Sequence, residues 1–150
     1  MQLTIHTDYA LRTLIALGLN APDKMTATEI GTAYGISVNH LLKVIQQLSD
    51  LGYVETLRGR GGGVRLAKAP ETIVVGRVVR EVERDLGVVA CLRDGGEPCT
   101  IVGPCRLRAA LAAATDAFLV VLDGYTLADV LKPRNKLVQL LQLRPGAAYA

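Results

Sequence analysis

The chain contains three cysteines, Cys91, Cys99 and Cys105, and all of them lie in one segment punctuated by glycine and proline. Disulfide frameworks use cysteines in pairs and join distant segments, so an odd, clustered set does not fit one. Three thiolates on one short loop can instead converge on a single soft metal centre. The sequence therefore predicts a metal-binding loop whose fourth ligand comes from elsewhere.

Length and composition indicate a compact protein that is not embedded in a membrane. The chain has 150 residues, of which 50% are hydrophobic, enough for one good core or two small ones. Its most apolar stretch, residues 109–122, contains Thr115 and Asp116 and is too short to cross a bilayer. The N-terminus has no secretory signal pattern. We expect a cytoplasmic protein, in a reducing compartment that keeps thiols free.

Positive charge is concentrated in one short segment although the net charge is only +3. Residues 58–68 contain Arg58, Arg60, Arg65 and Lys68 and no acidic residue. Such a segment suits contact with phosphates, and the alternative is a solvated turn that happens to be basic.

Capping residues predict three helices in the first third of the chain. Thr7 is a candidate N-cap for the first helix, with Asp8 in the first turn, where a carboxylate favours the helix dipole. Thr26 and Glu29 have the spacing of a capping box for a second helix that ends near Tyr34. After a break at Gly35, a third helix is predicted from Val38 to Leu51.

The third helix has two contrasting faces. Its apolar residues recur at helical spacing and predict an inward face of Val38, Leu41, Ile45 and Leu48, widened by Leu42 and Val44. The other face is polar but carries little charge, and such side chains suit base edges and phosphates: Asn39, His40, Lys43, Gln46 and Gln47. The pattern is that of a helix-turn-helix whose third helix, the recognition helix, contacts DNA.

A glycine-rich hairpin is predicted directly after the recognition helix. Residues 53–58 alternate as a strand, residues 59–63 contain four glycines and Arg60, and residues 64–66 can return as a partner strand. Glycines allow a close approach of the backbone to phosphate. A basic hairpin in this position favours the wing of a DNA-binding domain.

The remainder of the chain predicts a strand at residues 73–75, a helix at residues 76–83 and a long helix from Arg106. The long helix carries Leu107, Leu111, Ala114, Phe118 and Leu122, and it either forms a dimer interface or folds back onto its own domain. A short capped helix follows at residues 125–131. No nucleophile elbow or phosphate-binding loop is present in the sequence, so we expect no enzyme activity.

Four segments together resemble one known family. Residues 7–12 (TDYALR), residues 38–43 (VNHLLK), the glycine-rich segment 58–66 and the three cysteines before a long helix are similar to the winged-helix iron–sulfur regulators, over nearly the whole chain. The closer likeness is to the nitric-oxide-sensing repressors of that family, through Asp8 and the sequence Cys-Arg-Leu-Arg at residues 105–108.

This resemblance implies a 4Fe–4S cluster held by Cys91, Cys99 and Cys105, with Asp8 of the other subunit as fourth ligand. A branch of the family with a 2Fe–2S cluster uses a histidine three residues after the last cysteine. That position is Arg108 here, and a guanidinium has no lone pair to offer to iron. Arg12 either orients the site or forms an ordinary ion pair with Asp8.

The resemblance also implies a fold class and a function. The fold is mainly α, a winged helix-turn-helix DNA-binding domain (1–84) followed by a cluster loop (85–105), a dimerisation helix with a helical arm (106–144) and a tail (145–150). The function is a homodimeric repressor that binds palindromic double-stranded promoter DNA and releases it on exposure to nitric oxide. The candidate DNA contacts are Thr28, Ser37, Val38, Asn39, His40, Lys43, Gln46, Arg58, Arg60, Gly61, Gly62 and Arg65.

Several alternatives stay open at the level of sequence. Asp8 alone also fits simple compensation of the helix dipole, His6 can compete with it for iron, and His40 is either a DNA contact or merely exposed. Seven residues separate Cys91 from Cys99, a slightly longer gap than the family pattern. A zinc site, a bare thiol sensor, another redox-sensing or metal-sensing winged-helix regulator and a small iron–sulfur electron carrier are the competing functions.

Overall fold

The computed structural model describes residues 2–97 and 99–143, and the predicted tail at 145–150 lies outside them. The helices are α1 (Ile5–Asn20), α2 (Ala27–Tyr34), α3 (Val38–Asp50), α4 (Val75–Val82), α5 (Arg106–Asp123), α6 (Leu127–Val130) and α7 (Arg134–Leu140). Two strands, β1 (Val54–Leu57) and β2 (Gly63–Leu66), pair antiparallel, and short 3-10 turns occupy Pro70–Thr72 and Ala90–Leu92. The mainly helical winged fold predicted from the sequence is confirmed.

The first helix begins earlier than the sequence predicted. Thr4, not Thr7, is the N-cap of α1, and its hydroxyl accepts a hydrogen bond from the Thr7 N–H at 3.3 Å. Thr7 lies inside the helix and is fully buried. Its hydroxyl is satisfied by a distant carboxylate, Glu83, which the local sequence does not reveal.

Helices α2 and α3 form the helix-turn-helix. The capping box of Thr26 and Glu29 is present, and Gly35 takes a left-handed conformation (φ 67°) that ends α2. Helix α3 buries Leu41, Val44, Ile45 and Leu48, as predicted. The prediction for Leu42 is wrong. Its side chain is 53% exposed. Leu42 comes one residue after the buried Leu41, and the rotation of the helix between successive residues turns it away from the buried stripe.

The wing is a two-stranded hairpin supported by the turn after α1. Its register pairs Val54 with Leu66 and Leu57 with Gly63. Met25 adds a bridge to Val64 through hydrogen bonds of 2.9 and 2.7 Å, so the loop between α1 and α2 lies beside β2. This bridge fixes the orientation of the wing relative to the helix-turn-helix.

The strand predicted at residues 73–75 does not form. Val75 is the first residue of α4, and only an isolated bridge joins Val74 to Thr126. The helix that was predicted next is present, with Val78, Val79 and Val82 buried. Because the Val74 bridge brings residues 125–127 alongside, it secures the start of α6 against the body of the protein.

One hydrophobic core joins α1, the helix-turn-helix, the wing, α4 and α6. Helix α6 starts with the capping box of Thr126 and Asp129, and its Leu127 and Leu131 pack on α1. A Cβ at Gly18 would lie 2.8 Å from Leu131, so glycine permits this close packing. Arg134 then donates hydrogen bonds to the carbonyl oxygens of Gly18 and Leu19 at the end of α1.

Helix α5 presents two apolar stripes rather than the single one that the sequence suggested. Leu111, Phe118, Leu119 and Leu122 are half-buried or buried on the side that faces its own chain. The other stripe follows the three- and four-residue spacing of a coiled-coil seam and is exposed: Leu107, Ala110, Ala114, Ala117 and Val121.

Among the described residues, no helix is long and apolar enough to cross a membrane.

Candidate metal centre and nucleic-acid interface

The cysteine loop starts at a buried carboxylate. Glu83, directly after α4, accepts hydrogen bonds from the Thr7 hydroxyl (2.7 Å), the Thr4 N–H (2.9 Å) and the Thr4 hydroxyl (3.1 Å). The residue is only 8% exposed. A carboxylate loses its hydrogen bonds to water when it is buried, and these three bonds replace them. Glu83 thereby fixes the beginning of the loop against the first turn of α1.

Arg108 connects two of the three cysteines. Cys105 is the N-cap of α5, and its Sγ accepts the backbone N–H of Arg108 at 3.4 Å. The Arg108 side chain donates from Nε to the carbonyl oxygen of Cys91 at 3.3 Å. The sulfur of Cys105 caps the first turn of α5 through its one bond from the Arg108 backbone N–H. Arg108 thus ties the 3-10 turn that carries Cys91 to the start of α5.

The donor set fits an iron–sulfur centre, although the described part of the chain does not gather it. All three cysteines are free, Cys99 is exposed, and Cys91 and Cys105 are half-buried. In residues 2–97 and 99–143, no three cysteine, histidine or carboxylate side chains converge on one point. Thiolates are the standard protein ligands of iron–sulfur clusters, and between Leu92 and Arg106 the described residues form turns and irregular backbone.

Asp8 is held by Arg12 on the surface of α1. The ion pair is bidentate, with both distances at 3.0 Å, and the two side chains are 43% and 44% exposed. The guanidinium of Arg12 also lies over the Tyr34 ring of α2, 5.8 Å from its centroid. Burial raises the pKa of Tyr34, and the positive charge of Arg12 partly offsets that rise. Asp8 is accessible to a second molecule and already has a counter-charge beside it.

The first turns of α1 also contact the recognition helix. His6 Nε2 donates to the side-chain oxygen of Gln47 at 2.6 Å, and the Gln47 amide donates to the Val82 carbonyl at 3.4 Å. The Tyr9 and His40 rings lie 6.1 Å apart. His6, which the sequence left open as a rival ligand, is therefore engaged with α3. His40 is exposed and lies beside α1.

Most of the predicted DNA contacts lie on exposed parts of the helix-turn-helix. Val38 is half-buried at the start of α3, and the others are exposed: Thr28, Ser37, Asn39, His40, Lys43 and Gln46. Ser37 is in the N-cap position of α3 but makes no side-chain capping bond there. The Gln46 amide donates to Asp50 at 2.8 Å. The exposed face of α3 is polar and offers both donors and acceptors.

The wing places arginines on both sides of a tight glycine turn. Arg58 and Arg60 are exposed, Gly61 has a positive φ of 74°, and a Cβ at Gly62 would lie 2.4 Å from the Leu57 carbonyl oxygen. Only glycine fits that close approach. Arg65 differs from the other arginines, because it pairs with Glu55 directly across the strands.

Sequence reasoning missed the contacts that three residues make at these two sites. Lys24 donates to the Gly61 carbonyl and adds a cation beside the wing, because the Met25 bridge brings it there. Glu83 fixes the start of the cysteine loop through Thr7, and Arg108 joins the Cys91 turn of that loop to the start of α5. Each acts through a contact with a residue far along the chain, so no local pattern indicates it.

Comparison with known proteins identifies the family. The Rrf2 family model, described as iron-dependent transcriptional regulators, matches residues 3–133. The chain belongs to the Rrf2 family. Among its Rrf2 relatives, the HTH-type transcriptional regulator NsrR of Geobacillus kaustophilus is 51% identical over 147 residues, covering 97% of this chain and all of that protein. NsrR of Bacillus subtilis is 46% identical over 145 residues, covering 96% and 99%.

Solved structures agree with this assignment of the fold. CymR of B. subtilis, a global cysteine regulator, has a TM-score of 0.70 at 24% identity and covers 87% of this chain and 95% of its own. IscR of T. potens has a TM-score of 0.67 at 24% identity, covering 88% and 87%. The sequence resembled one branch of this family, the NsrR regulators, and the identities of 51% and 46% confirm that likeness. The chain is a winged-helix transcriptional regulator of the Rrf2 family.

Proposed function

We propose that this chain is a nitric-oxide-responsive repressor that binds palindromic promoter DNA as a homodimer when it carries a 4Fe–4S cluster. The cluster ligands are Cys91, Cys99, Cys105 and Asp8 of the partner subunit. The observation that carries the proposal is the contact between the Asp8 segment and the helix-turn-helix. Arg12 packs on Tyr34 of α2, while His6 and Tyr9 contact α3, so any movement of the first turns of α1 reaches both helices.

The donor set explains why a small gas is a suitable signal. When bound, a four-iron cluster with three thiolates and one carboxylate supplies an iron whose oxygen ligand is weak and which nitric oxide can attack. Arg12 is placed to neutralise the Asp8 carboxylate whenever it is not bound to iron, through the bidentate pair seen in this structure. Arg108 keeps Cys91 and Cys105 close to the start of α5.

The exposed seam of α5 supports the homodimer. Leu107 and Val121 are 66% and 62% exposed at the two ends of a stripe whose remaining members are alanines, which allow two helices to approach closely. The recognition helices of a twofold dimer must lie about 34–36 Å apart to enter successive major grooves. A small rotation of the subunits at α5 is then enough to lose the DNA site.

Binding and signal are tested together with full-length protein purified without oxygen. Duplexes selected by the protein from a randomised pool serve as the probe, and binding is followed by fluorescence anisotropy. The cluster-loaded protein is expected to bind at nanomolar concentration, and nitric oxide is expected to abolish binding while it bleaches the visible absorption. Equal binding by the cluster-free protein would contradict the switch.

Chemical analysis separates this function from its competitors. Iron and acid-labile sulfide at about four of each per subunit support the 4Fe–4S centre, whereas two of each indicate a 2Fe–2S regulator and zinc without sulfide indicates a structural site. Reversible redox cycling without any DNA binding would instead favour an electron carrier.

A further inference from the structure

Leu42 is an exposed leucine in the middle of a polar helix face. It is 53% exposed, whereas the other leucines of α3, Leu41 and Leu48, are fully buried. An isolated apolar residue on an ordinary surface has no special meaning. This one lies on the element that the proposed function places in the major groove, which gives its exposure a consequence.

The neighbours of Leu42 define what it faces. At helical spacing, Asn39 precedes it by three residues and Gln46 follows it by four, so all three share one face, and Lys43 is adjacent to it. All three of these neighbours are exposed. A single exposed leucine flanked by two amide groups is a poor docking surface for another protein, but the major groove presents polar base edges with an apolar methyl among them.

Position along the helix also favours a base contact. Leu42 is the fifth of the thirteen residues of α3, in the half that begins at the helix N-terminus. In helix-turn-helix proteins the N-terminal part of the recognition helix reaches the base edges, while its C-terminal part moves away from them. Lys43, beside Leu42, and Arg58, in the wing that follows, are exposed cations of the kind that contact phosphates and hold a recognition helix in register.

We propose that Leu42 contacts the C5-methyl group of one thymine in each half-site and thereby determines the base at that position. This inference rests on the proposed function, since it requires α3 to lie in the major groove. A leucine side chain has no donor or acceptor. Against cytosine it would cover an amino group without satisfying it, and against a purine it would cover the N7 acceptor. Thymine is the one base that offers a methyl group in this groove.

The expected magnitude follows from the area of one methyl contact. Burial of one methyl or methylene group contributes a factor of about four in affinity, and two half-sites give about fifteenfold. Replacement of thymine by deoxyuridine removes the methyl group and leaves the base pairing unchanged, so it isolates this contact.

The experiment uses the cluster-loaded, full-length protein and a duplex that it selects from a randomised pool. Each thymine of the duplex is replaced in turn, symmetrically in both half-sites, by deoxyuridine. For the unaltered protein, one position should lower the affinity about fifteenfold. Leu42→Ala should bind the thymine duplex more weakly and lose most of the difference between thymine and deoxyuridine at that position.

Leu42→Met is the control, because it retains an apolar side chain of similar volume on an exposed helical site. It should keep the preference for the methyl group. If no deoxyuridine substitution changes the affinity of the unaltered protein, or if Leu42→Ala keeps the full difference, Leu42 does not read thymine. If the protein selects no duplex at all, the proposed function itself fails, which is a distinguishable result.

Discussion

At the scale of single residues, Asp8 is the side chain for which the sequence indicated two roles. Its bidentate pair with Arg12 is exposed, and surface ion pairs of this kind contribute only about 0–1 kcal/mol to stability. The pair therefore leaves Asp8 free to exchange Arg12 for another partner at little energetic cost. The sequence proposed both roles, a helical ion pair and a ligand, and the structure of one chain contains the ion pair.

The roles of Asp8 and Cys99 are separated by two variants. Asp8→Ala should fold normally and retain a visible chromophore, because three thiolates remain, but its reaction with nitric oxide or its effect on DNA binding should change. Cys99→Ala should lose the chromophore, since two thiolates and a carboxylate are a poor ligand set. Absorption spectra and anisotropy titrations before and after nitric oxide are the measurements. An Asp8→Ala protein with unchanged binding and unchanged gas sensitivity would return Asp8 to the role of dipole compensation.

At the scale of elements, the wing is a case in which sequence and structure agree on the backbone but differ on the charges. The glycine run correctly predicted a tight hairpin, because positive φ values and the Gly62 approach to Leu57 are properties of adjacent residues. The four cations counted in the sequence are not equivalent, however. Arg65 pairs across the strands with Glu55, whereas Lys24, outside the predicted wing, is brought to Gly61.

This difference predicts unequal effects of two arginine substitutions. Arg60→Ala should weaken binding to all duplexes and reduce the slope of log affinity against log salt by about one phosphate contact. Arg65→Ala is the matched control in the same hairpin and should change the slope less, because its charge is balanced by Glu55. Titrations over a range of salt concentrations measure both slopes. Equal slopes for Arg60→Ala and the unaltered protein would exclude the wing tip from the interface.

At the scale of the whole molecule, α5 has one side that packs on its own chain and one that is exposed. Arg80 forms a bidentate ion pair with Asp123 at 2.5 and 2.7 Å, which fixes the end of α5 against α4. The half-buried stripe faces inward, and the seam from Leu107 to Val121 is exposed. The sequence left two possibilities open for this helix, packing on its own chain and forming an interface. One face of α5 packs on its own chain, and a second face is exposed and available for an interface.

A charge in that seam should separate the subunits. Ala117→Glu places a carboxylate within the exposed stripe, so that an interface there would bury one such charge from each subunit, and burial of two like charges is costly. The variant should sediment as a monomer and bind palindromic DNA much more weakly. Ala109→Glu is the control on another exposed face of α5 and should remain a dimer. A dimeric Ala117→Glu protein would place the interface elsewhere.

The sequence by itself determined the features whose interactions join residues within a few positions of each other. The capping box of Thr26, the left-handed Gly35, the buried stripe of α3 and the hairpin turn follow from spacing alone, because hydrogen bonds and side-chain contacts in these elements are local. The three cysteines before a long helix also lie close together in sequence. Together with the wing, they were sufficient to indicate the family.

Only the tertiary structure decided how far burial extends around each helix and which distant residues meet. Thr7 and Glu83 are separated by 76 positions and Arg108 and Cys91 by 17, so their hydrogen bonds depend on the packing of complete elements. The exposure of Leu42 and the second stripe of α5 have the same origin. An apolar residue becomes buried only where another element covers it, and helical periodicity does not say how wide that cover is.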